Sequence, residues 1–307
     1  MTTLSIHNPT HRAIWGQCLG DSISSYLQGH LPASVTWQQV LQEQNLPYKR
    51  GQLSTYAKQM LLLVELRCKY PTISKNEFTS MALDSLTKNS SHTLLCRALK
   101  EQQPFDLPDL EMAVRVGPLA TYYTDGFEML DQVYAITKHF STHPHALVGT
   151  LLFAAKCWNS VQNSPRSTDD LFHFARNWGA KTDIPSETWW LFEQAVRILE
   201  QGYPMQEMLD FVNIINQHPK DTLPSPRQSL TMIPLLFNGT EASFDWTQLL
   251  DIGGDLEIIL NLKGCLLGLH QEIPTWMARS LSHLKVLSNY PIQHVDTQPT
   301  QLPLFDL

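Results

Sequence analysis

Gly264 and Gly268 stand four residues apart inside an apolar run, and this spacing constrains the chain more than any other feature. From Ile258 to Leu269 the residues Ile258, Ile259, Leu262, Cys265, Leu266 and Leu269 recur at three- and four-residue steps, which lays them along one helix face. A glycine inside a helix costs about 1 kcal/mol against alanine. Two on one helix therefore predict a neighbouring helix that approaches more closely than a side chain would allow. The run from Ala146 to Trp158 is apolar on nearly all sides, as expected of a central, buried helix. Helical spacing also marks residues 57–69, 127–140, 169–177, 187–200, 205–217 and 274–287. Alternating strand-like stretches are rare, so the chain reads as all-α.

Prolines punctuate these helices at Pro71, Pro104 to Pro108, Pro144, Pro185 and Pro219 to Pro226, and none of these breaks is a long low-complexity linker. With 307 residues and 43% hydrophobic content, the chain is expected to form one helical domain over residues 1–288. Residues 289–307 are polar and end Leu302-Pro303-Leu304-Phe305-Asp306-Leu307, which reads as a flexible tail or a short docking peptide.

Net charge is -7 and the 22 basic residues form no run, which argues against a protein that grips nucleic-acid backbones. A single nucleotide needs only a few donors and stays allowed. The 5 cysteines are widely spaced with no Cys-x-x-Cys pair, so neither a zinc site nor a disulfide framework is expected. Met1 to Pro9 are polar, with no basic n-region and apolar h-region, so no signal peptide is expected, and no stretch reaches the roughly 18–20 apolar residues that cross a bilayer. A soluble, cytoplasmic protein without membrane partners is the expectation.

Five blocks carry a resemblance. They are Arg12-Ala13-Ile14-Trp15-Gly16 to Gly20-Asp21; Thr55-Tyr56-Ala57-Lys58-Gln59-Met60; Ala113-Val114-Arg115-Val116-Gly117-Pro118-Leu119; Tyr123 with Ser141-Thr142-His143; and Gly253-Gly254-Asp255-Leu256-Glu257-Ile258, followed by Ile273-Pro274-Thr275-Trp276. Together they resemble the ADP-ribosylglycohydrolase family, which includes the dinitrogenase-reductase-activating glycohydrolases. The resemblance implies a single-domain orthogonal multi-helix bundle.

It also implies where that family's chemistry has eroded. The family's second block reads Thr-Asp-Asp-Thr-Gln-Met, so its two metal-bridging carboxylates fall on Tyr56 and Ala57. Its last block reads Gly-Gly-Asp-Thr-Asp-Thr/Ser, leaving Asp255 and Glu257 but placing Ile258 at the final hydroxyl. Magnesium needs near-octahedral oxygen ligands, and Thr55, Asp255 and Glu257 do not supply a two-metal cluster. No metal or other cofactor is therefore expected. Gln28 falls where many members carry a catalytic Glu, and an amide cannot act as a general base; the alternative is a surface residue at a helix end. The family's Gly-Asn-Gly turn falls on Asp109, Leu110 and Glu111, where two carboxylates would repel a diphosphate.

Other positions are retained. Arg115 matches the family's arginine and either contacts ligand or forms a buried salt bridge. Tyr123 and His143 fall where the family contacts the nucleoside, although Tyr123 could equally be core. Tyr56, Tyr122, Tyr123, Trp15 and Arg115 are of the kinds that stack on a purine.

The resulting expectation is a non-catalytic nucleotide receptor, with a purine second messenger such as cyclic di-GMP as candidate. Its ligand-binding set is Gln28, Thr55, Tyr56, Arg115, Tyr123, His143, Asp255 and Glu257. Two alternatives stay open: an active ADP-ribosyl hydrolase with relocated metal ligands, and a scaffold that binds a protein partner.

Overall fold

The computed structural model describes residues 3–5, 8–28, 53–70, 73–74, 76–80, 94–200, 256–270 and 293–295. These are mostly helical, and the all-α character read from the spacing holds. The named helices are α1 (Pro9–Gln28), α2 (Thr55–Lys69), α3 (Leu94–Glu101), α4 (Glu111–Ala120), α5 (Gly126–Phe140), α6 (Pro144–Ser160), α7 (Thr168–Gly179), α8 (Ser186–Glu200) and α9 (Leu256–His270). A short antiparallel pair joins β1 (Thr3–Ser5) to β2 (Gln293–Val295), with Thr3 opposite Val295. Three residues of the expected tail thus lie beside the N-terminal strand. Helices expected at residues 205–217 and 274–287, and the Ile273 to Trp276 motif, lie outside the described residues. No described helix is long and apolar enough to cross a membrane.

Local chemistry starts these helices where the sequence supplies caps. Asn8 Oδ1 accepts from the Thr10 and His11 amides at the head of α1. Ser54, Asp125 and Ser167 cap α2, α5 and α7 by accepting from backbone N–H groups of the first turn. Pro144 opens α6, where its missing N–H and fixed φ suit the first helical turn.

α6 is the central helix: residues 146–155 and 157–159 are buried, and it packs on α4, α5 and α7. α4 is buried along its whole length, between α2 and α6. It contains Pro118, which has no N–H to offer the Val114 carbonyl one turn earlier. The fully buried Gln17 of α1 supplies the missing donor, its Nε2 lying 2.6 Å from that oxygen.

The neighbour anticipated for Gly264 and Gly268 is α1, running antiparallel to α9. A Cβ added at Gly16 would lie 2.1 Å from the Gly264 carbonyl oxygen, one at Gly20 1.9 Å from that of Leu260, and one at Gly268 2.0 Å from that of Arg12. Four glycines at four-residue steps on two helices thus let the backbones touch. Arg12 completes the contact by donating to the Gly268 and Leu269 carbonyls at 3.0 and 3.1 Å. Those oxygens belong to the last turn of α9, where helix carbonyls lack intrahelical partners and a cation is favoured.

Candidate functional site

Asp21 lies one residue past Gly20, beside the α1–α9 contact. Its carboxylate is buried and surrounded by donors. The Ser54 amide donates at 2.9 Å, Asn261 Nδ2 at 3.1 Å, and the Ser54 hydroxyl through a short hydrogen bond. Burial raises the Asp21 pKa; the bonds from Ser54 and Asn261 and the nearby Lys58 ammonium pull the other way. Ser54 does two jobs, since its oxygen also caps α2. Asn261 ties the same point to α9 by donating to the Glu257 carbonyl, 2.8 Å away. Three helices therefore converge on one carboxylate.

Thr55 and Tyr56 follow directly. Thr55 is half-buried, whereas Tyr56 and Ala57 belong to the core. The Tyr56 hydroxyl donates to Glu111 Oε1 at 3.1 Å. Glu111 Oε2 accepts from Arg115 Nη2 at 3.1 Å and from the Leu95 amide at 3.3 Å. Arg115 is 0% exposed and all three of its guanidinium nitrogens donate: beside the Nη2 bond, Nε donates to Gln59 Oε1 at 2.5 Å and Nη1 to the Glu111 carbonyl, and the guanidinium lies 5.1 Å from the Tyr56 ring centre. Gln59 in turn reaches Cys96 Sγ at 3.7 Å.

Arg115 thus stands in a buried ion pair with Glu111, four residues back on α4. The carboxylates expected to repel a diphosphate are turned inward instead. Asp109 is buried and accepts from the Glu111 amide at 2.6 Å, heading α4 as a cap would. The structure brings Tyr56 and Arg115 together, as members of the core. Trp15 and Tyr123 are also buried, and of the rings expected to stack on a purine only Tyr122 is half-exposed.

Tyr123 and His143 make their contacts elsewhere. The Arg67 guanidinium covers the Tyr123 ring at 4.5 Å, and burial pushes the phenol up to about 12 against the pull of that cation. His143 caps α6, its Nδ1 accepting from the His145 amide at 3.2 Å. The rings of His143 and His145 meet edge to face at 5.1 Å. Burial lowers the pKa of both, that of His145 to about 4, while Asp106 draws that of His143 upward. Glu257 is half-buried in the first turn of α9. Asp255 and the side chain of Gln28 lie outside the described residues.

A second feature was missed by sequence reasoning. Phe127, Asp131, Tyr134 and Lys138 form one stripe of α5, facing Trp178 at the end of α7 and the turn that carries Lys181 and Asp183; together they line an open groove of about 590 Å³. Trp178 Nε1 donates to Asp131 Oδ1 at 2.8 Å. Lys138 pairs with Asp183 at 2.5 Å, and the Tyr134 hydroxyl donates to the same carboxylate. These contacts raise the pKa of Lys138 and lower that of Asp183, so the pair is charged at neutral pH. The four-three-four spacing of the α5 residues was the available signal, but the facing wall comes from a distant segment.

Compared with protein-family models and with curated proteins, the sequence finds no match.

Proposed function

We propose that this chain is a non-catalytic, cytoplasmic member of the ADP-ribosylglycohydrolase type, built on that family's orthogonal multi-helix bundle. In this reading it serves as a receptor for a nucleotide, with a purine second messenger such as cyclic di-GMP as candidate ligand. The observation that carries the reading is the Tyr56–Glu111–Arg115 network. At the two positions where the resemblance calls for metal-bridging carboxylates, a phenol ring and a methyl group fill the space, and both are buried. Glu111 is neutralised by Arg115, and Asp21 is already engaged by Ser54 and Asn261. Magnesium needs oxygen ligands at about 2.0–2.1 Å in near-octahedral array, and these carboxylates are committed to protein donors. Loss of the metal step leaves ligand binding as the activity such a scaffold retains.

A thermal-shift screen of mononucleotides and cyclic dinucleotides, with and without magnesium, tests the reading. The expected result is a melting temperature raised by one purine nucleotide, equally in both conditions, with no ADP-ribose released from an ADP-ribosylated substrate. A melting temperature unmoved by every nucleotide overturns the receptor role. Stabilisation by magnesium alone, together with turnover, overturns the non-catalytic role.

A further inference from the structure

Within the α5–α7 groove, Phe127, Lys181 and Asp131 stand side by side, each only partly engaged by its neighbours. Phe127 is 45% exposed, with its buried side against Phe174, ring centres 5.0 Å apart. Lys181 stands over the Phe127 ring at 5.6 Å and takes part in no ion pair among the described residues. Asp131 lies one helical turn from Phe127 on the same face of α5. Its Oδ1 is held by the Trp178 indole at 2.8 Å, and its Oδ2 accepts no hydrogen bond among the described residues. The other charges of the groove, Lys138 and Asp183, neutralise each other.

An ionised carboxylate only accepts, so Asp131 selects a ligand edge that donates. Guanine offers adjacent N1–H and N2–H donors on its Watson–Crick edge. Adenine places an unprotonated N1 there, which a carboxylate repels. An exposed aromatic ring next to that acceptor supplies a stacking platform for the base, and an ammonium group with no ion-pair partner among the described residues is a point-charge partner for phosphate. A volume of about 590 Å³ falls in the range of small-ligand sites.

We infer that the groove between α5 and α7 is a guanine-nucleotide site, in which the base stacks on Phe127, its N1–H and N2–H donate to Asp131, and Lys181 receives the phosphate. The inference rests on the nucleotide-receptor reading and moves the ligand away from the buried Tyr56–Arg115 region to an open surface of the same protein.

Isothermal titration of the full chain with GMP, guanosine, AMP and cyclic di-GMP tests it. The wild-type protein is expected to bind GMP and cyclic di-GMP about tenfold or more tightly than AMP. Phe127→Ala should weaken GMP about tenfold, the scale of a lost base-stacking contact. Asp131→Asn keeps an acceptor for Trp178 and should erase the preference over AMP. Lys181→Glu should weaken GMP while leaving guanosine unchanged. Circular dichroism of the three variants verifies that these exposed substitutions leave the fold intact. Wild-type GMP affinity in all three variants overturns the groove assignment and leaves the receptor reading standing. Equal affinity for GMP and AMP overturns the guanine assignment. No binding of any guanine nucleotide at millimolar concentration overturns the site outright, and the receptor reading is then decided by the thermal screen with the remaining nucleotides.

Discussion

Gln17 Nε2 donates to the Val114 carbonyl that Pro118 leaves without a helical partner. A proline inside a helix removes one i to i−4 bond, and a buried carbonyl left unsatisfied costs about 1–3 kcal/mol. Here a side chain from another helix repairs the gap, joining α1 to α4 at a point where no apolar contact would serve.

Gln17→Met should therefore destabilise the protein by about 1–3 kcal/mol in urea unfolding. In a Pro118→Ala background the new amide can take the Val114 oxygen, and the same substitution should cost less than half as much. Equal costs in both backgrounds would show that the Gln17 bond does not compensate for the proline.

Gly264→Ala places a methyl carbon 2.2 Å from the Gly16 carbonyl oxygen, and the obstacle is backbone, which cannot swing aside. α1 and α9 must then separate, at a cost of about 2–4 kcal/mol or more. Gly117→Ala meets the edge of the Phe153 ring at 2.5 Å and Cys265 Sγ at 3.1 Å, side-chain atoms with some freedom, and should cost less. Melting temperatures of the two variants compare them directly.

Arg115→Met leaves Glu111 buried beside Tyr56 without its counter-charge. Breaking one side of a buried pair costs about 3–5 kcal/mol, whereas replacing both sides with apolar groups can be nearly neutral. The double variant Arg115→Met, Glu111→Leu should recover at least half of the single-variant loss. Additive losses in chemical denaturation would mean the pair is not the unit that matters.

Acid should weaken the head of α6. His143 and His145 both have folded pKa values below the ordinary 6.5. Between 6.5 and the folded values, about 4 for His145, the unfolded chain binds more protons, so stability falls as pH falls through that window and is fully present above it. Protonation of His143 also removes the lone pair that accepts from the His145 amide. Urea unfolding between pH 7 and 4 should show the decline, and His143→Asn, which retains a cap without titrating, combined with His145→Gln, should flatten it.

Helix class was legible because glycine spacing and three-to-four periodicity are local signals. Gly264 and Gly268 announced a close backbone approach, since little else makes two glycines tolerable in an apolar helix. Their partners Gly16 and Gly20 also stood in the sequence, yet nothing local pairs segments some 240 positions apart. Arg115 was legible as two alternatives, and the decision lay with Glu111 one turn earlier on α4 and with Gln59 on α2. Asp109 and Glu111 read as carboxylates facing a ligand's diphosphate, and their inward turn was hidden because the partners of Glu111, Tyr56, Leu95 and Arg115, come together only on folding. The groove escaped notice for a similar reason: the α5 stripe is visible in the sequence, but only folding sets Trp178 and Lys181 opposite it.

The hydrogen bond from Arg12 to Gly268 spans 256 positions, and it carries a consequence for biosynthesis. Translation delivers α1 before α9, with its glycine-lined flank bare, and the helix that seals it emerges only after the residues between them. Until then the nascent protein must keep that flank from illegitimate partners, and truncations ahead of residue 256 should be captured by chaperones rather than accumulate as folded fragments.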